Sequence, residues 1–139
     1  MIKHIIFDCD GVIVDSEILA SRIAVDMLST SGYTSTVEQH TRRFSGLKEH
    51  EILEQIEKVD GVKIPDNFMD EFVRLMRKAF VEELEAIGGM VELIKGLELP
   101  KSVVSNSLSE DVMRNTQKVG VWDEFEGRVF AAEMVKHPK

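Results

Sequence analysis

The chain opens with a short apolar run, Ile2-Lys3-His4-Ile5-Ile6-Phe7, that stops abruptly at Asp8-Cys9-Asp10-Gly11. That is the pattern of a buried parallel strand delivering polar groups at its carboxyl end. The period then changes. Ile18, Leu19, Ile23, Met27 and Leu28 recur at helical spacing until Ser31-Gly32. Ile52, Leu53, Ile56 and Val59 make one stripe, which predicts a second helix over 48–59. A third is expected from about Asp66 to Ala86 through Phe68, Phe72, Leu75, Met76, Ala79, Phe80 and Leu84, with Pro65 and Asp66 at its start. Gly88-Gly89 breaks that helix, and 90–95 suggests a short helical turn. Lys101-Ser-Val-Val-Ser105 reads as a second strand, and Ser107-Leu108-Ser109-Glu110 fits a capping box opening a helix with Val112, Met113 and Val119 on its apolar face. Residues 127–130 are a candidate third strand. Strands alternating with helices imply a parallel α/β sheet. Residues 1–14 and 87–139 are expected to form it, with 15–86 a helical insert after the first strand.

Composition narrows the classes. The 139 residues suit one domain, or one compact domain carrying a small insert. Hydrophobic residues at 43% exclude global disorder. The net charge of −8 argues against binding nucleic acid or anionic lipid, since both need a basic face. The single cysteine excludes an internal disulfide. No run approaches membrane-spanning length, and Asp8 interrupts the start before a signal-peptide core could form, so a cytoplasmic protein is the expectation.

The sharpest chemical feature is Asp8-Cys9-Asp10-Gly11-Val12 at the end of the first strand. Ligands of open parallel sheets bind at that edge. Two carboxylates one residue apart cannot both be buried without heavy desolvation, so both belong at the exposed lip, where a divalent cation could neutralise them. One could attack an electrophile while its neighbour moves a proton to and from the leaving oxygen. The competing reading is a polar turn. An EF-hand fits less well, because its glycine should come five residues after the first aspartate rather than three. Ser105-Asn106, at the end of the second strand, would stand on the same lip near Asp8, and its hydroxyl and amides suit a phosphate oxygen. Taken alone it reads as turn chemistry. Lys136-His137-Pro138-Lys139 follows the third strand and taken alone reads as a solvated basic tail. Cys9 should pack as a small buried residue. His4, His40, His50 and His137 lack metal-ligand spacing and are read as structural or surface residues.

In this order and at these distances, the features resemble the haloacid dehalogenase superfamily of phosphotransferases, along the whole chain. The resemblance implies a Rossmannoid parallel sheet with an inserted helical cap. Phe7-Asp8-Cys9-Asp10-Gly11-Val12, with Asp15-Ser16 behind it, looks like the first motif of the family, which makes Asp8 the nucleophile, Asp10 the acid/base and both of them Mg²⁺ ligands. Val103-Val104-Ser105-Asn106 looks like the second motif, whose hydroxyl binds the transferring phosphoryl group, and Lys139 falls at the third-motif lysine. Arg42-Arg43-Phe44-Ser45-Gly46 looks like the cap loop that reaches the site, which puts Arg43 and Gly46 among the substrate contacts.

The branch resembled holds phosphoglycolate phosphatases, β-phosphoglucomutases and, most similar, the bacterial 6-phosphogluconate phosphatases. The mutases carry a histidine where this chain has Ala20 and a cap-loop arginine where it has Glu49. The resemblance therefore implies a Mg²⁺-dependent phosphatase for a small sugar phosphate or phosphorylated sugar acid, acting as a monomer or weak dimer. A phosphomutase is the rival enzyme. The acidic pair that forms the fourth motif of the family has no counterpart, because Asp123, Glu124, Glu126 and Glu133 all precede Lys139. The chain is therefore expected to be part of a longer protein. A catalytically silent binding module is the reading if Lys139 is its true end.

Overall fold

The computed structural model describes residues 1–134. The chain folds as two compact units. One is built from Met1–Ser16 together with the chain from Glu83, and the other from Glu17–Glu82.

The first unit contains a parallel sheet of three strands in the order β1-β2-β3, with β1 at Ile5–Phe7, β2 at Lys101–Val104 and β3 at Val129–Phe130. Phe7 is in register with Val103, and Val103 with Val129. The sheet is shorter than the apolar pattern implied. Ile2, Lys3 and His4 lie ahead of β1, which starts where the Ile5 amide donates to the Pro100 carbonyl at 3.0 Å. β1 is also buried on one face rather than both: Ile6 is 66% exposed while Phe7 is buried. Around the sheet stand α5 (Met90–Gly96), α6 (Ser109–Lys118) and a 3₁₀ turn at Trp122–Phe125. Phe125 is fully buried and meets the Phe7 ring edge-on, with centroids 6.1 Å apart. Lys101 is buried at the head of β2. Its ammonium donates to the carbonyls of Ile94 (2.7 Å) and Leu97 (2.8 Å), closing the C-terminus of α5 where cationic charge is favoured.

The second unit is helical, with α1 (Ser16–Ser29, whose first residue belongs to the sheet unit), α2 (Val37–Phe44), α3 (Glu49–Gln55) and α4 (Phe68–Glu82). α3 runs on with π winding through Asp60 to Gly61, whose φ of 66° ends it. α2 is opened by a capping box in which the Thr36 hydroxyl accepts from the Gln39 amide and the Gln39 side chain accepts from the Thr36 amide. Residues 42–44 are therefore the last turn of a helix. Only Ser45 and Gly46 belong to the loop that the resemblance assigned to 42–46.

The third helix also ends early, at Glu82 rather than Ala86. Residues 85–87 pair instead with 13–15: the Asp15 amide donates to Glu85, the Ile87 amide donates to Ile13, and Val14 bridges Ala86. Tertiary pairing here outweighs the helix preference of Glu83-Leu84-Glu85-Ala86, which is worth only tenths of a kcal/mol per residue.

His40 belongs to the core of the helical unit. It is buried, its Nδ1 is 3.0 Å from the Tyr33 hydroxyl, and it meets the Phe44 ring edge-on. Burial, and then the nearby Arg43 charge, pushes its pKa below the ordinary 6.5. The unfolded chain takes up a proton near 6.5 that folded His40 resists, so the associated stability is complete above that pH and is lost as the pH falls below it. Urea midpoints taken between pH 7 and pH 5 should therefore drop, and His40→Gln should flatten the drop. An unchanged slope in that variant would move the acid sensitivity elsewhere.

Candidate active site

The lip of the sheet is shaped by a tight loop after β1. The Cys9 carbonyl accepts from the amides of Val12, Ile13 and Val14, and the Gly11 amide donates back to Val14 at 2.9 Å. Gly11 sits at φ 69°, a left-handed conformation that a Cβ would strain. Cys9 is fully buried, as a small core residue should be. Asp8 and Asp10, flanking it, are both partly exposed at the lip. The Asp8 carboxylate accepts the Cys9 amide at 2.7 Å, which sets its orientation.

Ser105 is buried at the end of β2, its amide donating to the Phe130 carbonyl of β3 at 3.0 Å. Its hydroxyl lies 3.5 Å from Asp10 Oδ2. The sheet thus brings together Asp10 and Ser105, 95 positions apart in the chain. Asn106 is exposed in the following turn. Ser107 donates its hydroxyl proton to the same Asp10 oxygen at 2.6 Å, and its backbone amide donates to Ser105 Oγ at 3.0 Å.

This corrects the capping box expected at Ser107-Leu108-Ser109-Glu110. The N-cap of α6 is Leu108, with no side-chain cap bond, and the Ser109 amide donates to Glu133 Oε1 at 2.7 Å. Hydrogen bonds from the Ser109 side chain, and then from its backbone amide, hold the Glu133 carboxyl below its ordinary range. Glu133 therefore does the capping from outside the helix, and the Ser107 hydroxyl is available to Asp10. Sequence reasoning missed Ser107 as a site residue, because its helix-cap pattern is local and its acceptor is 97 positions away.

Arg43 and Gly46 lie in the helical unit. Arg43 Nη1 is 2.9 and 2.8 Å from the two Asp60 carboxylate oxygens, and its guanidinium carbon is 4.6 Å from the centroid of the Phe44 ring. Gly46 turns the chain after α2 at φ 79°. Lys139, with Lys136-His137-Pro138, lies outside the described residues.

Asp8 and Asp10 are two hard oxygen donors at one lip. That donor set suits Mg²⁺, which is held by one or two carboxylates together with waters and substrate phosphate. Among the described residues, no three His, Cys, Asp or Glu side chains are gathered as a metal site, and no helix is long and apolar enough to cross a membrane.

The model of the haloacid dehalogenase-like hydrolases matches residues 5–139. The chain belongs to that family. A curated relative, the 6-phosphogluconate phosphatase of Escherichia coli, is 32% identical over 131 residues, which cover 94% of this chain and 59% of that protein. A haloacid dehalogenase-like protein of unknown function from Agrobacterium tumefaciens superposes with a TM-score of 0.88 at 31% identity, covering 96% of this chain and 60% of the other. A family hydrolase from Deinococcus radiodurans, solved with bound phosphate and sodium, shares the fold at a TM-score of 0.80 and 20% identity, covering 94% of this chain and 58% of the other. The chain thus spans about three fifths of the length of these relatives.

Proposed function

We propose that this haloacid dehalogenase-like hydrolase is a Mg²⁺-dependent phosphatase for a small sugar phosphate or phosphorylated sugar acid. The observation that carries the reading is the meeting of Asp10 and Ser105, at 3.5 Å, on the lip that also presents Asp8. The phosphatase activity of the E. coli relative supports it. Asp8, with its carboxylate oriented by the Cys9 amide, attacks phosphorus in line and becomes an aspartyl phosphate. Asp10 gives a proton to the leaving sugar oxygen and then takes one from the water that hydrolyses the intermediate. Ser105, and Asn106 beside it, bind the equatorial phosphoryl oxygens, and Lys139 adds positive charge there. Asp8 and Asp10 would hold Mg²⁺, which would supply charge neutralisation at the phosphoryl group. The helical unit acts as a cap that selects the substrate, with Arg43 and Gly46 at its contact with the sugar. We place the protein in the cytoplasm as a monomer or weak dimer, acting on free small molecules rather than on nucleic acid or membranes.

The test is phosphate release from a panel of sugar phosphates and phosphorylated sugar acids with Mg²⁺ present. Turnover should appear with at least one of them and vanish when the metal is chelated. Accumulation of an isomeric sugar phosphate without free phosphate would make the protein a mutase. No turnover, together with no Mg²⁺ binding, would make it a silent binding module.

A further inference from the structure

The Ser107 hydroxyl donates to Asp10 Oδ2 at 2.6 Å, and the Ser107 amide donates to Ser105 Oγ at 3.0 Å. From that geometry we infer that Ser107 is a positioning residue that fixes the orientation of the Asp10 carboxylate and of the Ser105 hydroxyl. The inference rests on the acid/base reading of Asp10.

Among the described residues, both side-chain donors to Asp10 fall on Oδ2. The short hydrogen bond from Ser107 therefore fixes the rotation of the carboxylate and leaves Oδ1 as the oxygen that neither serine engages. The amide of Ser107 meanwhile occupies an acceptor site on Ser105 Oγ, which fixes the place of that hydroxyl while leaving its proton free to donate. Without substrate it faces Asp10 at 3.5 Å, a loose contact that a phosphoryl oxygen can replace. One residue therefore orients both the acid and the phosphoryl-binding hydroxyl.

The turn after β3 holds Ser107 in place. The Ala132 amide reaches the Ser107 carbonyl at 3.4 Å, and Glu133 grips the Ser109 amide two residues on. Because Glu133 caps α6, the Ser107 hydroxyl contributes no cap bond to that helix.

The experiment compares Ser107→Ala and Ser107→Thr with the unaltered chain, using p-nitrophenyl phosphate and Mg²⁺, and determines the crystal structure of each. Ser107→Ala should lower kcat by about tenfold to a hundredfold, the scale of a misplaced catalytic group, with KM little changed. Ser107→Thr, which keeps the hydroxyl, should restore most of kcat. The Asp10 carboxylate should rotate off its position in the alanine variant and stay in the threonine variant. An alanine variant with unaltered kcat, a threonine variant without rescue, or an unmoved Asp10 would overturn the inference. If the unaltered chain turns over no phosphomonoester, the phosphatase reading falls. The Asp10 rotamer then decides the role of Ser107 by itself.

Discussion

Asp8→Asn is expected to lower phosphomonoester turnover on the order of 10⁴-fold or more, while circular dichroism and the thermal midpoint stay at the values of the unaltered protein. The substitution is nearly isosteric. The amide oxygen of asparagine can still accept the Cys9 N–H that Asp8 Oδ1 accepts at 2.7 Å, so the loop after β1 keeps its geometry. What disappears is the anionic oxygen. A neutral amide does not displace an alkoxide from phosphorus, and without the covalent step catalysis is left with positioning and charge stabilisation. Asp10 is poorly placed to substitute, because its Oδ2 is held by Ser107 and faced by Ser105. Phosphate release under single-turnover conditions, with enzyme in excess over substrate, gives the most sensitive reading. Turnover within tenfold of the unaltered protein would remove Asp8 from the nucleophile role and with it the aspartyl-phosphate route.

The alternation of strands and helices in the sheet unit and the Asp8/Asp10 lip were legible in the sequence because both depend on local pattern, whereas α2 had no stripe that predicted it. A short apolar run ending in two carboxylates has few physical solutions, and a parallel strand opening at its carboxyl end is the one adopted. What was not legible depended on partners far along the chain. Ser107 carries a correct local signal for a helix cap, yet Glu133 performs the capping and Asp10 takes the hydroxyl. Residues 83–86 carry a correct local signal for helix, yet 85–87 are drawn into pairing with 13–15. Arg43 is expected at the substrate from the resemblance, and only the winding of α3 on to Asp60 shows where its guanidinium is held. In each case the local rule identified the chemistry available, and a tertiary contact decided which use was made of it.

The largest loss of stability is expected from Phe125→Ala, at about 3–5 kcal/mol. Phe125 is fully buried, so truncation removes a whole aromatic ring from water-excluded packing and leaves a cavity that the surrounding residues only partly collapse into. The edge-on contact with Phe7 at 6.1 Å goes with it, worth about 0.5–1.5 kcal/mol beyond area. For a protein whose total stability is about 5–15 kcal/mol, that is a large share. Urea unfolding followed by circular dichroism measures it, and a loss below about 1 kcal/mol would mean that the site repacks freely, contrary to its burial. The variant also separates scaffold from chemistry. Phe7 is the residue immediately before Asp8 and the last of β1, so Phe125 braces the strand end that presents the nucleophile. Phe125→Leu fills much of the space without the aromatic edge and should lose clearly less stability. If turnover by the folded leucine variant falls while Asp8 and Asp10 are untouched, the reason is the loosened end of β1. The bracing of that strand by the 3₁₀ turn would then be part of how the fold sets the attack geometry.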